Sequence, residues 1–225
     1  MSEPASRIAE LTAELPEQDR VRAARFRVEA ARRRFVVGRW LLRHQLAERI
    51  GVLPAALVFG VGDHGKPQLV EPASQPRWHF NLSHSGSVVV VAVATVPVGV
   101  DVEEIRHIDR VEGLSRRFLS PIEQEAVLGA PPKERDRAFL RIWTQKEAYL
   151  KGIGLGIGMP LKEVETEPDP KLQPRLVAAP GDTEETRLWT LLEVKIPGAV
   201  CIVATGGARP KIRVGRNTAS DTEWK

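Results

Sequence analysis

The sequence predicts an α+β fold made of two similar halves, each a small antiparallel sheet packed by helices. The first observation is a helical pattern that ends near Gly51 and is followed by apolar, strand-like runs within residues 56–102. The second is the same order repeated, with helices within residues 114–152 and strand-like runs within residues 163–205. No residue-level repeat connects the halves, so the duplication is predicted from the order of elements alone.

This order divides the chain into four segments. We predict an N-terminal extension (1–15), a first α+β half (16–105), a second α+β half (106–206) and a polar, basic tail (207–225) whose end is partly disordered. The composition supports a packed core, because 42% of the 225 residues are hydrophobic and 28% are charged.

The first half begins with one or two amphipathic helices. Acidic residues follow Pro16 at a predicted helix N-terminus, where they interact favourably with the helix dipole. Apolar positions then recur up to Leu46, which predicts that the helical region ends near Gly51. A short apolar run at 56–61 predicts a strand.

Two apolar runs, 88–94 and 98–102, follow a segment (65–86) that we predict to be mainly loop. Both runs are rich in valine, which favours strands. A turn at Val96–Pro97 joins them closely, so we predict that they pair as a β-hairpin.

The second half begins with a helix over 114–119. The helix restarts at Ser120, where Glu123 three residues later completes a capping box. Two prolines then precede a long helix predicted over 135–152. Strands are predicted near 163–166, 188–194 and 199–205.

Charge and cysteine content narrow the class of protein. The net charge of +4 and the isoelectric point of about 9.5 suit a polyanionic ligand or an acidic protein partner. Residues 1–20 contain no apolar run of signal-peptide length, and no segment approaches the ~20 apolar residues that span a bilayer. The single cysteine, Cys201, excludes an internal disulfide and lies in an apolar run typical of a core strand. We therefore expect a cytoplasmic protein without a membrane partner.

Arginines are concentrated between residues 20 and 43. On composition alone, they form either a solvated helix face or a phosphate-binding surface. The first alternative is the more common one.

Two short segments, GVDVE (99–103) and WTQKEAYLK (143–151), contain the main candidate site residues. The first ends an apolar strand, where alternate side chains share a face, so Asp101 and Glu103 point the same way. The second is helical, and Glu147 and Lys151 lie one turn apart on one stripe. Three carboxylates that converge from separate elements form the oxygen-ligand set that Mg²⁺ prefers, and the lysine could meet an anionic substrate. The two segments indicate metal-assisted chemistry on a phosphate.

Other short motifs do not fit the sites that they superficially match. The segment 60–67 nearly matches a nucleotide-binding P-loop but ends in Pro67, which has no hydroxyl for Mg²⁺. The glycines of 154–158 follow a helix, whereas a dinucleotide-binding fingerprint follows a strand. Ser83 and His84 lack the flanking glycines of a nucleophile elbow. They either donate hydrogen bonds to a phosphate or have a structural role.

Four motifs occur in a fixed order along the chain: GKP (65–67), FNLSHSG (80–86), GVDVE (99–103) and WTQKEAYLK (143–151). In this order they resemble the 4′-phosphopantetheinyl transferase superfamily, specifically the long, surfactin-synthetase-activating type. The lead-in from Arg25 to Phe35 and the FLSPIE element (118–123) are similar to that family as well. The resemblance implies a pseudo-two-fold arrangement of the halves, with the active site between them.

The resemblance also implies an activity and a set of site residues. The enzyme would transfer phosphopantetheine from coenzyme A to a serine of a carrier protein and release 3′,5′-ADP. By resemblance, Asp101, Glu103 and Glu147 hold Mg²⁺ against the coenzyme A pyrophosphate, and Lys151 lies near the same phosphates. Further cofactor-binding positions that the resemblance implies are Lys66, Ser83 and His84, with Arg22 and Arg34 toward the 3′-phosphate or adenine. At Asp19, where some members of the family carry a basic residue, the charge is reversed.

The predicted roles follow from the chemistry of this reaction. Mg²⁺ and Lys151 would stabilise the charge that develops on the pyrophosphate. Glu147 is the predicted general base for the serine hydroxyl, directly or through water, and Glu103 is the alternative. The partner would be an acidic carrier of fatty-acid, polyketide or nonribosomal-peptide synthesis. We expect a monomer, because the long members of the family are pseudo-dimers.

Two other functions remain open at this point. A Mg²⁺-dependent nucleotide or pyrophosphate hydrolase needs the same carboxylates with water as the nucleophile. A non-catalytic module could bind nucleic acid through the early arginines, in a salt-dependent manner. No aromatic-rich nucleic-acid motif supports the last alternative, so we expect no nucleic-acid partner.

Overall fold

The computed structural model describes residues 5–62, 65–74, 76–155, 160–180, 188–207 and 213–215. Its helices are α1 (Ala5–Glu14), α2 (Glu17–Ala24), α3 (Glu29–Ile50), α4 (Val111–Phe118), α5 (Pro121–Gly129) and α6 (Pro132–Ile153). Its strands are β1 (Val58–Val61), β2 (Pro67–Glu71), β3 (His79–Ser85), β4 (Val88–Ala94), β5 (Val98–Glu104), β6 (Glu165–Thr166), β7 (Leu176–Ala178), β8 (Trp189–Glu193) and β9 (Ala199–Gly206). Most of the predicted tail, 208–212 and 216–225, lies outside the described residues.

The described strands form four small antiparallel sheets. Three of these are two-stranded, β1–β2, β3–β4 and β6–β7, and the fourth has the order β5–β9–β8. Helices pack on these sheets, which confirms the predicted α+β class. None of the helices within the described ranges has the length and apolar character needed to cross a bilayer.

The predicted hairpin between 88–94 and 98–102 is wrong. β4 pairs instead with β3, through a turn that joins Ser85 to Val88. β5 pairs with β9 and packs its Val100 and Val102 against the valines of β4. β5 is largely buried and β4 is partly buried along its whole length. Uniformly apolar runs indicate strands but do not indicate which strands pair by their backbones.

β5, the last strand of the predicted first half, pairs with β9, a strand of the predicted second half. The predicted boundary lies directly after β5, at residues 105 and 106. β5 pairs along its whole length with β9, from Val98 opposite Thr205 to Glu104 opposite Ala199. Asp101 and Glu103 therefore lie in the same sheet as strands from the end of the chain. The boundary itself stays a prediction.

Two segments are more regular than the sequence indicated. The N-terminal extension forms α1, whose buried Ile8 and Leu11 pack against Val36 and Trp40 of α3. The segment predicted as loop, 65–86, contains β2 and β3. In β3 polar and apolar residues alternate, which is typical of a strand with one face on a core.

Helix ends follow the predicted signals closely. Ser120 and Glu123 form both hydrogen bonds of the capping box at the start of α5. α3 ends at Gly51, which has the left-handed conformation that glycine adopts easily. α6 begins at Pro132, three residues before the predicted start, because proline is favoured in the first turn of a helix.

Candidate active site

Helix α6 lies against one face of β5 at unusually short range. A Cβ atom at Gly99 would lie 2.0 Å from the carbonyl oxygen of Ala148 and 2.3 Å from the backbone nitrogen of Gly152. Glycine at position 99 therefore permits the contact between strand and helix. The contact brings Asp101, on the same face of β5, to the last turns of α6.

Asp101 is the most buried of the predicted metal ligands, with 3% of its surface exposed. Its Oδ1 accepts hydrogen bonds from Lys151 Nζ at 2.5 Å and from Ser83 Oγ at 2.8 Å. Its Oδ2 is buried without a hydrogen-bond partner among the described residues. Burial raises the pKa of the Asp101 carboxyl, while the Lys151 charge and the hydrogen bonds act against it.

Glu103 lies two residues further along β5, and its side chain is 21% exposed. Its Oε2 accepts hydrogen bonds from Ser85 Oγ at 2.7 Å and from Arg106 Nη1 at 3.0 Å. Asp101 and Glu103 thus each accept a hydrogen bond from a serine of β3, and these two serines, Ser83 and Ser85, lie on one face of that strand.

Glu147 is half-buried on α6, one turn before Lys151. Burial raises the pKa of its carboxyl, and the negative charge of Asp101 raises it further. Lys151 acts in the opposite direction, and Glu103 adds a smaller increase. The three carboxylates therefore share one electrostatic environment, although they come from two elements.

The donor set fits a hard divalent cation in its chemistry. Carboxylate oxygens are the ligands that Mg²⁺ prefers, and Asp101 Oδ2 is a buried oxygen with no hydrogen-bond partner in the part of the chain that the structure describes. Within the described residues, no three His, Cys, Asp or Glu side chains are close enough as they stand to hold a metal ion. Here the Lys151 ammonium provides the positive charge at Asp101. The metal-ligand roles of Asp101, Glu103 and Glu147 stay predictions.

The predicted phosphate-binding residues of β3 lie on opposite faces of the strand. Ser83 is buried and accepts a hydrogen bond from Lys151 Nζ at 3.1 Å, so its hydroxyl belongs to the carboxylate cluster. His84 is exposed, because successive side chains of a strand alternate between faces. The structure brings Ser83, but not His84, together with Asp101.

The side-chain ammonium of Lys66 binds two backbone carbonyl oxygens. Its Nζ donates hydrogen bonds to Gly152 O at 2.7 Å and to Val98 O at 3.0 Å. Burial lowers the pKa of the Lys66 ammonium to about 8. Lys66 thus connects the segment before β2 with the start of β5 and the end of α6, and its predicted contact with coenzyme A stays a prediction.

The two predicted arginines differ in their surroundings. Arg22 is exposed on α2, and its guanidinium lies 5.2 Å from the centre of the Phe35 ring. Arg34 donates to the carbonyl of Gly86 at 3.4 Å, next to the serines of β3, and its Nε is buried without a hydrogen-bond partner in the described chain. Arg34 is therefore the arginine of this pair that lies beside the carboxylate cluster.

Asp19 has a structural role. It is 2% exposed and forms ion pairs with Arg43 at 2.7 Å and with Arg39 at 3.0 Å. The acidic residue at this position therefore neutralises two arginines of α3, which explains its reversed charge.

Sequence reasoning missed a buried ion pair that involves α6, the helix of Glu147. Lys146 Nζ lies 2.5 Å from Glu123 Oε2, and neither side chain is exposed. The other oxygen of Glu123 accepts hydrogen bonds from the backbone and hydroxyl of Thr166. The capping box identified Glu123 as a helix-start residue but did not indicate its charged partner, which lies one position before Glu147.

A cavity of about 350 Å³ opens beside Glu103. Its polar end contains Glu103 and Arg106, and its apolar wall includes Phe118, Phe139 and Trp143. Phe118 packs edge-on against Trp143, with ring centres 5.3 Å apart. The carboxylate cluster is therefore bordered by an apolar recess.

Comparisons with known proteins agree with this arrangement of motifs. Residues 97–204 match the sequence model of the 4′-phosphopantetheinyl transferase superfamily, and residues 3–96 match that of the 4′-phosphopantetheinyl transferase N-terminal region. The 4′-phosphopantetheinyl transferase HetI of Nostoc sp. is 36% identical over 209 residues, which cover 92% of this chain and 84% of HetI. The chain belongs to the 4′-phosphopantetheinyl transferase superfamily. The resemblance predicted from the four motifs is thereby confirmed.

Other superfamily members match shorter stretches. The 4′-phosphopantetheinyl transferase Sfp of Bacillus subtilis is 30% identical over 144 residues, which cover 64% of this chain and 62% of Sfp. A putative 4′-phosphopantetheinyl transferase of Synechocystis sp. is 33% identical over 176 residues, 77% of this chain and 70% of the relative. A similar solved structure is that of a holo-(acyl-carrier-protein) synthase of Bacillus anthracis in complex with CoA (3′,5′-ADP). The match covers 50% of this chain and 97% of the synthase chain, at 23% sequence identity. The TM-score of this match is 0.42.

Proposed function

We propose that this transferase moves the 4′-phosphopantetheine group of coenzyme A to a serine of an acyl or peptidyl carrier protein. The observation that carries the proposal is the cluster of Asp101, Glu103, Glu147 and Lys151, which comes from two superfamily motifs. It includes one buried carboxylate oxygen that has no hydrogen-bond partner among the described residues. Such a cluster suits a substrate whose reacting part is a pyrophosphate.

Asp101, Glu103 and Glu147 would hold Mg²⁺. When bound, the ion supplies positive charge that stabilises the pyrophosphate as negative charge develops on it. The carboxylates would otherwise repel both each other and an anionic substrate. Burial is the main cause of the raised pKa of Glu147, and the negative charge of Asp101 adds to it. Lys151 neutralises Asp101 here, and in the proposed reaction its ammonium would bind the substrate phosphates.

The transfer step requires a base for the serine. The serine oxygen attacks the phosphorus that carries pantetheine, the phosphorus–oxygen bond to the second phosphate breaks, and 3′,5′-ADP leaves. Glu147 would take the serine proton, directly or through water, because its raised pKa makes it a stronger base than an ordinary glutamate. Glu103 is the alternative base.

Basic residues near the cluster would bind the remaining phosphates. Arg34 is supported by its position beside the β3–β4 turn and by its buried Nε, which has no hydrogen-bond partner within the described ranges. Ser83 would act from within the cluster. Lys66, His84 and Arg22 are proposed from the superfamily motifs alone.

The net charge of +4 supports an acidic carrier protein as the partner. We also propose that the enzyme acts as a monomer, in the cytoplasm, where coenzyme A and carrier proteins meet. No nucleic acid takes part in the proposed reaction.

Intact-mass spectrometry tests the proposal. The protein is incubated with coenzyme A, Mg²⁺ and several apo carrier proteins from fatty-acid, polyketide and nonribosomal-peptide systems. We expect at least one carrier to gain the mass of a single phosphopantetheine group, and no gain after replacement of its acceptor serine by alanine. Release of 3′,5′-ADP from coenzyme A without a carrier, and no adduct on any carrier, would favour the hydrolase instead.

A further inference from the structure

β3 holds the free edge of β5 through side chains. One edge of β5 pairs with β9, and the backbone N–H groups of three alternate residues point from the other edge toward β3. Each donates to a side-chain oxygen of β3: Val100 to Asn81 Oδ1 at 2.9 Å, Val102 to Ser83 Oγ at 3.3 Å and Glu104 to Ser85 Oγ at 3.1 Å. Side-chain oxygens thus replace the carbonyls of an ordinary strand pair, which satisfies donors that would otherwise lack partners.

The two serines of this ladder each donate a hydrogen bond as well. A hydroxyl can accept and donate at the same time. Ser83 donates to Asp101 and Ser85 donates to Glu103, in each case the residue before the one whose N–H it accepts. At the third position Asn81 accepts from the N–H of Val100. The residue before Val100 is Gly99, which has no side chain, so Asn81 has no carboxylate to orient. Among the three residues of the ladder, the two serines are those that face a carboxylate of β5.

The turn after Ser85 is fixed by the next residue of β5. Glu104 Oε1 accepts hydrogen bonds from Ser87 N at 2.7 Å and Ser87 Oγ at 2.8 Å. Gly86 has a φ of +53°, and a Cβ atom there would lie 1.8 Å from Glu104 Oε2. The turn is closed tightly over Glu104, so the position of Ser85 is determined from both sides.

The Ser85 hydrogen bond matters more for the orientation of Glu103 than the Ser83 hydrogen bond does for that of Asp101. Asp101 is buried and is also held by Lys151, whereas Glu103 has a longer side chain and a competing partner at the surface. The side chain of that partner, Arg106, is 57% exposed, and it binds the same Oε2 atom as Ser85. Without the Ser85 hydrogen bond, Arg106 could draw the carboxylate outward.

We propose that Ser85 is a positioning residue that directs the Glu103 carboxylate toward the metal ion, a role that rests on the proposed function of Glu103. Ser85 acts through Glu103 and contacts neither coenzyme A nor the reacting atoms. The Asn81, Ser83 and Ser85 ladder is then a template that sets both strand carboxylates.

The test compares Ser85→Ala with Ser85→Thr and with the control Ser87→Ala. Ser87→Ala removes a neighbouring hydroxyl whose partner is Glu104, and its backbone N–H still binds Glu104. We expect Ser85→Ala to raise the Mg²⁺ concentration for half-maximal transfer about tenfold, the size expected for a lost hydrogen bond to a charged group. The rate at saturating Mg²⁺ should change less than twofold. Ser85→Thr, which keeps the hydroxyl, and Ser87→Ala should resemble the parent protein.

Isothermal titration calorimetry of Mg²⁺ into each variant with coenzyme A gives a second readout that needs no transfer. Ser85→Ala should bind Mg²⁺ about tenfold more weakly. If Ser85→Ala does not fold, as judged by circular dichroism, Ser85→Cys replaces it, because a thiol is a weak donor of similar size. Unchanged Mg²⁺ affinity in a folded variant, or equal weakening in Ser85→Thr, would overturn the positioning role. A parent protein that binds Mg²⁺ but modifies no carrier would overturn the proposed function and leave the Ser85 result readable.

Discussion

The ammonium of Lys151 lies 2.5 Å from Oδ1 of Asp101, and the opposite oxygen of that carboxylate has no partner in the described chain. The two residues come from motifs that are about fifty positions apart in the sequence, and they meet because Gly99 lets α6 approach β5. One close backbone contact therefore assembles charged groups from a strand and a helix into a single cluster.

Glu147→Gln should abolish transfer and stabilise the protein without Mg²⁺. Burial, and then the charge of Asp101, raise the pKa of Glu147 above 4.5 in the folded protein. The free energy of unfolding therefore falls as the pH rises from 4.5, and the full penalty is present above the raised pKa. Neutral glutamine removes the cost of burying a charge next to Asp101 at pH 7. It cannot accept the serine proton, and loss of a general base lowers rates by roughly 10²–10⁴-fold. Carrier modification and thermal unfolding with and without Mg²⁺ give the two measurements.

The matched control for this change is Glu134→Gln, which neutralises an exposed acid in the first turn of the same helix. It should leave transfer intact and change stability only slightly. Loss of stability in Glu147→Gln without Mg²⁺ would contradict the proposed crowding of negative charge.

Gly99→Ala should separate α6 from β5. The new Cβ would meet backbone atoms of Ala148 and Gly152, which cannot rotate away, so the helix must shift. We expect a loss of roughly 1–3 kcal/mol in unfolding free energy, as for overpacked cores, together with reduced transfer. Urea unfolding and the intact-mass assay measure the two effects.

Gly113→Ala in α4 is the matched control, because nothing lies within 4 Å of a Cβ atom built there. Alanine favours helix over glycine, so this change should stabilise by about 1 kcal/mol. Equal destabilisation by both substitutions would show that the Gly99 contact is not tight.

The common faces of the site could be predicted from periodicity. Alternation along β5 placed Asp101 with Glu103, and helical spacing placed Glu147 with Lys151. The contact between the two faces could not be predicted, because it depends on a backbone approach at Gly99 that spacing does not encode.

The pairing of β4 with β3 and of β5 with β9 could not be predicted from the sequence for a related reason. β4 and β5 are both apolar and adjacent in the chain, which favoured a hairpin, yet their side chains pack face to face. The alternating residues Asn81, Ser83 and Ser85 resembled a polar loop because their partners are backbone and carboxylate groups of β5. For Lys66, the GKP motif indicated the residue but not the carbonyls that it binds.

Glu123→Gln should strongly destabilise the protein. Both oxygens of Glu123 face donors, because Oε2 accepts from Ser120 N and faces Lys146, while Oε1 accepts from Thr166. A glutamine has only one acceptor oxygen, so the change removes the negative charge and also turns an amide NH₂ group toward donors. Burial already lowers the pKa of the Lys146 ammonium, and Glu123 opposes this effect. Breaking a buried ion pair costs about 3–5 kcal/mol, which urea unfolding would detect.

The exposed pair of Arg116 and Glu112, 3.9 Å apart, provides the comparison. Glu112→Gln should change the unfolding free energy by less than about 0.5 kcal/mol. A similar small effect for Glu123→Gln would contradict the importance of the buried pair.

Lys66→Met should change how stability depends on pH. Burial lowers the pKa of Lys66 to about 8 in the folded protein, against an ordinary value of 10.5. Below pH 8 both states bind the proton and the burial penalty is fully present. Between about pH 8 and 10.5 the unfolded chain binds more protons than the folded one, so the free energy of unfolding rises with pH.

Methionine has a similar length and does not titrate, so Lys66→Met should lack the part of this rise that Lys66 contributes. Subtracting the urea-unfolding curves of the two proteins from pH 7 to 10.5 removes the contributions of other lysines and the tyrosine. The difference should grow in favour of the parent protein as the pH increases. A constant difference across this range would show that the Lys66 ammonium remains fully charged between the carbonyls of Val98 and Gly152.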